Sequence, residues 1–221
     1  MRKVRRKQLK EDKFVESIVA AQLFFSRHVR LLIYLGIGAA VIIALVSMIF
    51  AHRRSLDRKA MGLFQQASGA AAYLDLYHSY PRSTIAPLAL YEGAKKLYVD
   101  GMYDESKESF GLFLKQYPEH PLAPDALNSI GYCMEVGGRP LEAAGVYSEV
   151  ADKYAVSAVA PEALINSARC YRLAGKDVEA EKQYRRVIRD FPGSFRRLDA
   201  ERCLAELESG PEGLDRPEGG E

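Results

Sequence analysis

The feature that most constrains this chain is a self-similarity with a period of 37 residues in the part that follows residue 86. Five residue types each recur three times in one register. The identical triplets are Pro87, Pro124 and Pro161; Ala89, Ala126 and Ala163; Leu90, Leu127 and Leu164; Gly101, Gly138 and Gly175; and Glu105, Glu142 and Glu179. A period of this length is typical of a solenoid, in which each unit buries its apolar surface by stacking on its neighbours.

Each period predicts two helices, A and B. Proline opens helix A, because the first helical position tolerates its missing N–H. Glycine ends helix A, where a left-handed residue is commonly needed. Ala94, Gly131 and Ala168 of helix A are expected to face Ser106, Ala143 and Ala180 of helix B and so allow close helix approach. Helix B also carries aromatic and apolar residues at helical spacing, which are Phe110, Phe113 and Tyr117; Tyr147, Val150 and Tyr154; and Tyr184, Val187 and Phe191.

An uncharged block precedes the repeats, and residues 31–50 contain no charged side chain. These 20 residues would form a helix about 30 Å long, which matches the hydrocarbon thickness of a bilayer. A buried core helix and a cleaved signal peptide are the two rival interpretations. Signal peptides have a shorter apolar region and a small-x-small cleavage site, but Ile49 occupies the first small position before Ala51. The block is therefore predicted to be an uncleaved transmembrane helix.

Charge is distributed unevenly about this block. Residues 1–30 hold 9 Lys/Arg and 3 Asp/Glu, whereas residues 51–221 hold 22 Lys/Arg and 26 Asp/Glu. The excess of cations in the head predicts that the N-terminus is cytoplasmic. Counts over 20 residues on each side, 3 against 4 Lys/Arg, leave the orientation undecided. The slightly acidic body disfavours nucleic-acid binding.

The sequence predicts a modular organisation. The membrane helix is expected to continue without interruption through residues 51–79, because this range contains no proline. An amphipathic stretch in the head (Phe14, Ile18, Ala21, Phe25) could lie on the inner leaflet, dock on a membrane partner, or act only as a basic topology signal. The predicted segments are a basic head at 1–30, a transmembrane helix at 31–50, a leading helix at 51–86, repeats at 87–123, 124–160 and 161–197, a capping helix at 198–207, and a disordered acidic tail at 208–221.

The repeat resembles the tetratricopeptide repeat family. The pattern is Leu127-x3-Gly131-x2-Met134-x3-Gly138-x4-Ala143-x3-Tyr147-x2-Val150, and residues 164–192 repeat it. The resemblance implies an all-α solenoid of about three helix-turn-helix repeats, without enzymatic activity, in which helices A line a groove that binds proteins or peptides. Lys95, Arg169 and Arg172 would favour acidic peptides. The groove residues implied by the resemblance are Tyr91, Lys95, Tyr98, Asn128, Tyr132, Glu135, Ile165, Arg169 and Arg172.

The period of 37 exceeds the usual period of about 34. In this respect the chain resembles repeat proteins of the Gram-negative envelope, such as the outer-membrane assembly lipoprotein and the cell division coordinator, although it has no lipid-anchor cysteine. A basic head, one membrane helix and a repeat body resemble the ancillary subunit of the SecYEG translocon. This resemblance implies a protein of the bacterial inner membrane with a periplasmic repeat body. It would be a scaffold with a translocon-associated chaperone role or, alternatively, a structural or assembly subunit of an envelope complex.

No constellation of catalytic residues is recognisable in the sequence. The four histidines, His28, His52, His78 and His120, are scattered, so no metal site is predicted, and no phosphate-binding loop predicts a cofactor. Cys133 and Cys170 occupy equivalent positions in neighbouring helices A. Neighbouring helices pack with their axes about 8–10 Å apart, which is longer than the Cα–Cα distance that a disulfide can bridge. Cys133, Cys170 and Cys203 are therefore expected to be partly buried free thiols. Free thiols are an argument against an oxidising compartment.

Overall fold

The computed structural model of the chain describes residues 2–209. Between Arg2 and Ser209 every regular element is a helix, and no strand is present. The chain divides into two compact units, Met1–Leu56 and Asp57–Glu221. The predicted fold class is confirmed, since an apolar helix is followed by a helical repeat array.

Most of α1 (Arg2–Gln66) belongs to the N-terminal unit. From Ile33 to Phe50 its side chains are exposed, including Tyr34 at 71% and Ile43 at 66% of their full accessibility. Within the described part of the chain, α1 contains one segment that is long and apolar enough to cross a membrane. The side chains of the predicted amphipathic stretch (Phe14, Ile18, Ala21, Phe25) lie outside the described ones.

The C-terminal unit holds the repeat helices. Successive helices pack on one another, and α7 also contacts α5 and α9. We refer to α3, α5 and α7 as the A helices and to α4, α6 and α8 as the B helices. The bounds are α2 (Ala70–Ser79), α3 (Ala86–Val99), α4 (Tyr103–Gln116), α5 (Ala123–Val136), α6 (Pro140–Lys153), α7 (Ala160–Leu173), α8 (Asp177–Asp190) and α9 (Arg196–Ser209).

The turn from each A helix to its B helix has the same local construction. Gly101, Gly138 and Gly175 adopt positive φ angles of 80°, 76° and 70°, as predicted. The N–H of Arg139 donates to the Met134 carbonyl at 2.9 Å, and the N–H of Gly138 donates to the Glu135 carbonyl at 3.0 Å. These two bonds form a Schellman motif, which satisfies carbonyls left free at the helix end. The left-handed glycine is what makes the turn possible, because side chains disfavour that conformation.

Small residues allow the A and B helices to approach closely in the first two repeats. Ser106 donates to the Ala94 carbonyl at 2.9 Å, which brings α4 close to α3. In the second repeat, a Cβ on Gly131 would lie 2.5 Å from the Tyr147 ring. Gly131 therefore provides the space that the fully buried Tyr147 ring occupies. The expected facing of Gly131 and Ala143 stays a prediction.

The expected continuous helix from Ala51 to residue 79 is wrong. Helix α1 ends at Gln66, and α2 begins at Ala70 after Gly69, whose φ of 87° no α-helix can contain. The chain reverses there, since the Phe64 ring lies 5.2 Å from the Tyr73 ring of α2. Absence of proline was an insufficient criterion, because a glycine that can adopt positive φ also ends a helix.

Helix α9 closes the C-terminal end of the array. By the 37-residue shift, Glu201 and Glu208 stand where α7 has Leu164, which is fully buried, and Tyr171. A polar outer face is what a terminal repeat needs. The predicted cap at 198–207 lies within α9, and Glu208 and Ser209, assigned to the tail, are helical instead. The remainder of the predicted tail lies outside the described residues.

The unit boundaries at 87–123, 124–160 and 161–197 remain a proposal. Each span contains one A helix, apart from its first residue, and one B helix.

Candidate binding face

The nine residues predicted to line a groove come from the same three positions of α3, α5 and α7. We call them the groove face: Tyr91, Lys95 and Tyr98 on α3; Asn128, Tyr132 and Glu135 on α5; and Ile165, Arg169 and Arg172 on α7. Because these positions are three or four residues apart, they lie on one side of each helix. Their role in binding is a proposal, which the contacts below support to different degrees.

On α3, Tyr91 is partly a core residue. Its ring lies edge-on to Phe110 at 5.5 Å and to Phe113 at 5.7 Å. Burial raises the pKa of its hydroxyl to about 12, with smaller contributions from Asp125 and Glu92. Lys95 is exposed, but its Nζ lies 3.0 Å from Glu92 and 5.6 Å from the centre of the Tyr91 ring. The positive charge of Lys95 is therefore already partnered.

The first and second repeats meet through Tyr98. Its ring packs edge-on against Tyr103 at 5.3 Å. Burial raises the pKa of the Tyr98 hydroxyl, and Cys133, Tyr103, Glu135 and Tyr132 add smaller effects. Tyr98 also packs against a core cluster that contains residues of both α3 and α5, such as Ala94 and Cys133.

The second and third repeats meet through a network centred on Glu135. Arg169 binds the carboxylate with both terminal nitrogens, and its Nη2 lies 2.7 Å from Oε2. The Tyr147 hydroxyl donates to the same oxygen at 3.1 Å. Hydrogen bonds from Arg169 hold the pKa of Glu135 below its ordinary value. The pair joins α5 to α7, in the fork geometry that makes arginine–carboxylate pairs strong.

Tyr132 reinforces this junction. The Asn166 amide of α7 donates to the Tyr132 hydroxyl at 3.1 Å. The Tyr132 ring also packs edge-on against the Tyr147 ring, with 5.5 Å between ring centres. One side of Tyr132 is therefore fixed by the fold, while the residue remains partly exposed.

Two predicted groove residues offer little surface. Asn128 is only 8% exposed, and its side-chain oxygen is buried without a hydrogen-bond partner among the described residues. Ile165 is half-buried and packs on the core of the third repeat. Their contribution to binding is expected to be smaller than that of Tyr132.

The predicted basic character of the face is largely offset by the fold. Lys95 is paired with Glu92, and Arg169 with Glu135. Arg172 is exposed, and none of the ion pairs among residues 2–209 includes it. Of the three cations in the predicted basic set, Arg172 therefore keeps its charge available.

A second set of residues on these helices was missed in the sequence. Val99, Val136 and Leu173 are exposed by 74%, 50% and 65%. We call this set the apolar ridge. The three occupy equivalent positions 37 residues apart, so the recurrence was visible. Spacing along the chain does not distinguish this recurrence from the apolar recurrences that build the core.

The cysteines are free, as expected, but Cys133 and Cys170 are fully buried rather than partly buried. Cys133 Sγ donates to Ser106 Oγ at 3.4 Å. Burial raises the pKa of Cys133, and raises that of Cys170 to about 12. A protonated, inaccessible thiol is a poor nucleophile. Across residues 2–209, no three His, Cys, Asp or Glu side chains are grouped so that they could hold a metal ion.

The comparisons with known proteins agree with this architecture. Two sequence profiles described as tetratricopeptide repeat match residues 91–158 and 162–194. No curated protein matches the chain by sequence. The matched part of the chain, residues 91–158 and 162–194, belongs to the tetratricopeptide repeat family. Repeats of this family typically form non-enzymatic scaffolds for protein–protein interaction.

A solved structure shows the same fold at low identity. A tetratricopeptide repeat protein from Parabacteroides merdae is 14% identical, with a TM-score of 0.53, and the match covers 71% of this chain but only 60% of that protein. The type III secretion chaperone SycD of Yersinia enterocolitica, in complex with a peptide of the translocator YopD, is 20% identical, with a TM-score of 0.48, and the match covers 57% of this chain and 95% of that chain.

Proposed function

We propose that this chain is a membrane-anchored scaffold that binds protein segments on the groove face. The observation that carries the proposal is the row of partly exposed aromatic and charged residues across three successive A helices. Tyr98 packs against a core cluster that includes Cys133 of α5, and Tyr132 and Glu135 are bonded to α7. These bonds hold the row in one arrangement before a partner arrives, which lowers the entropy cost of binding. Tyr and Arg are also the residue types enriched in binding hot spots.

Residues 31–50 would form the membrane anchor. Their apolar side chains are exposed wherever the structure describes them, and a soluble protein rarely exposes a continuous apolar surface of this size. Contact with lipid acyl chains would remove that surface from water. A signal sequence is the rival interpretation, and the molecular mass of the mature chain from purified membranes separates the two.

We propose that the head is cytoplasmic and that the repeat body faces the periplasm of a bacterial inner membrane. The excess of cations in residues 1–30 supports this orientation. Protease treatment of intact spheroplasts tests it. Digestion of the repeat body without membrane disruption is the expected result, and a body that resists until the membrane is broken would reverse the orientation.

In its sharpest form, the proposal is a chaperone role beside the translocon, where emerging clients would bind the groove face transiently. A photoreactive phenylalanine analogue at Tyr132 tests this in native membranes. Many weak crosslinked products are expected for a chaperone. The matched control is the same analogue at Val178, which is 77% exposed at the start of the B helix α8. Equal crosslinking from both positions, or none from Tyr132, would contradict binding on the groove face.

A structural or assembly subunit is the second candidate. Phe195 and Leu198 near the start of α9 are exposed by 74% and 72%. Exposed large apolar residues of this kind favour a lasting contact with another protein. In the same crosslinking experiment, a single stoichiometric product would support this candidate over the chaperone.

A further inference from the structure

We propose that the apolar ridge and Arg172 together bind an acidic amphipathic polypeptide segment, whose apolar side chains contact Val99, Val136 and Leu173 and whose carboxylate pairs with Arg172. This inference rests on the proposed function and specifies the partner chemistry of the same region.

The ridge is adjacent to the groove face. Val136 lies one helical turn beyond Tyr132 and directly after Glu135, so it borders the groove face of α5. Leu173 has the same relation to Arg169 and Arg172. The bonds between Glu135 and Arg169 and between Tyr132 and Asn166 bring these ends of α5 and α7 together. The ridge is therefore a row of apolar side chains along one edge of the groove, and it spans three repeats.

The ridge is not needed for the core. The interior of the third helix pair is filled by buried residues such as Leu164 and Val187, which are both 0% exposed. Val136 and Leu173 instead remain at least half exposed at the helix ends. Three exposed apolar residues at one repeated position form a surface whose burial by a partner is favourable.

The charges near the apolar ridge favour a partner segment that is negatively charged. Glu135 already accepts hydrogen bonds from Arg169 and Tyr147, so it offers no free carboxylate to a basic partner. Lys96 and Asp100, near Val99, are both exposed and offset each other. At the opposite end, Arg172 keeps an uncompensated charge beside Leu173. An acidic residue of a partner is the complement to this arrangement, and an arginine can hold it with two hydrogen bonds.

One carboxylate of the chain itself competes for this cation. Glu206 on α9 occupies the register position of Arg169, so it faces the same inter-helix junction as Arg172. No ion pair links the two within the described structure. Removal of the Glu206 charge should therefore leave Arg172 more available and should not destabilise α9.

The test uses the full-length chain in detergent micelles and fluorescence anisotropy of two labelled 14-residue probe peptides. Both probes repeat leucine at helical spacing, and one carries glutamate where the other carries lysine. The acidic probe is expected to bind at least tenfold more tightly. Arg172→Glu should abolish or reverse this preference, Leu173→Ser should weaken binding of both probes severalfold, and Glu206→Gln should strengthen binding of the acidic probe.

The matched control residues lie on the B helix α8. Val178→Ser removes an equally exposed apolar side chain from α8, and Arg189→Glu reverses an exposed cation there. Neither should change binding of either probe by more than about twofold. Equal binding of the two probes, a preference for the basic probe, or an equal effect of the control variants would overturn the inference.

Two further outcomes separate this inference from its alternatives. If a chain without residues 210–221 bound the acidic probe much more tightly, the acidic tail would be the natural occupant and the assignment to a partner would be wrong. If neither probe bound but Tyr132 still gave specific crosslinks in membranes, the partner chemistry would be wrong and the proposed function would stand. Loss of the Tyr132 crosslinks would remove the proposed function itself.

Discussion

The second and third repeats place different chemistry at equivalent positions. In the second repeat, the buried Tyr147 hydroxyl donates to Glu135, and Glu135 is bonded to Arg169 of the next repeat. In the third repeat, the equivalent residues are Tyr184 and Arg172, and none of the ion pairs among residues 2–209 includes Arg172. Both tyrosines are almost completely buried. The position of Glu135 and Arg172 therefore has two roles. Its charge stabilises the contact between repeats where the neighbouring repeat supplies the opposite charge, and it remains available to a partner where no such charge is supplied.

The largest expected effect comes from the buried rings that both repeats share. Tyr147→Ala should destabilise the C-terminal unit by about 3–5 kcal/mol, because it leaves a large cavity in a core that cannot collapse fully. Tyr184→Ala should have a similar effect. The free energy of unfolding in urea measures both. Unchanged unfolding of the Tyr147 variant would show that the register of the second repeat is wrong.

The second largest effect on stability is expected at Gly131, the glycine that makes room for the Tyr147 ring in the second repeat. Gly131→Ala should destabilise by about 1–3 kcal/mol, because the added Cβ overlaps the Tyr147 ring and forces the core to shift. The matched control is Gly111→Ala in α4, where nothing lies within 4 Å of the new Cβ. That variant should stabilise by roughly 0.5–1 kcal/mol, because alanine favours the helix. Destabilisation by both variants to the same extent would contradict the close approach.

The ionic junction should have a smaller effect, with a defined pH dependence. Glu135→Gln should destabilise by about 0.5–1 kcal/mol near neutral pH, a value reduced because Arg169 is partly exposed to solvent. The pKa of Glu135 is lowered from its ordinary value of 4.5 in the folded chain. Its stabilising contribution is therefore present above pH 4.5 and is lost as the pH falls through the lower folded pKa.

Urea unfolding at several pH values checks this prediction. The difference in unfolding free energy between the wild type and Glu135→Gln should shrink as the pH falls from 5 towards 3. A difference that is constant over this range would show that the Glu135 charge does not stabilise the junction.

The smallest effect on stability is expected at the equivalent position of the third repeat. Arg172→Gln should change the free energy of unfolding by less than about 0.5 kcal/mol, because the exposed side chain has no carboxylate to lose. The same variant should weaken binding of the acidic probe peptide. A stability loss as large as that of Glu135→Gln would show that Arg172 serves the architecture, and the contrast between the repeats would disappear.

Much of the fold could be predicted from the sequence because it depends on local and periodic signals. The positive φ at Gly138 follows from a glycine placed after an apolar-periodic helix. The helical phase of α6 follows from small and aromatic residues at helical spacing. The interruption after Gln66 was missed because Gly69 lies between alanine- and serine-rich residues that all tolerate a helix. Only the contact of Phe64 with Tyr73 reveals that the chain must turn there.

The candidate site could be predicted only in part. Equivalence to the family pattern placed Tyr132 and Arg169 on the A helices, but it did not reveal which charges are compensated. The pairing of Arg169 with Glu135 joins residues 34 positions apart, so no local pattern reports it. The apolar ridge was missed for a related reason, since exposure is a property of the whole stack.

By itself, the sequence determined that this chain consists of stacked helical pairs preceded by an apolar segment, because those features depend on backbone propensity and on a repeat that each unit must bury against the next. The tertiary structure alone decided which equivalent residues became core, junction or surface. It gave Glu135 a partner and left Arg172 and Leu173 exposed. The physical reason is that burial and charge compensation depend on neighbours distant in the chain, and spacing along the chain does not encode them.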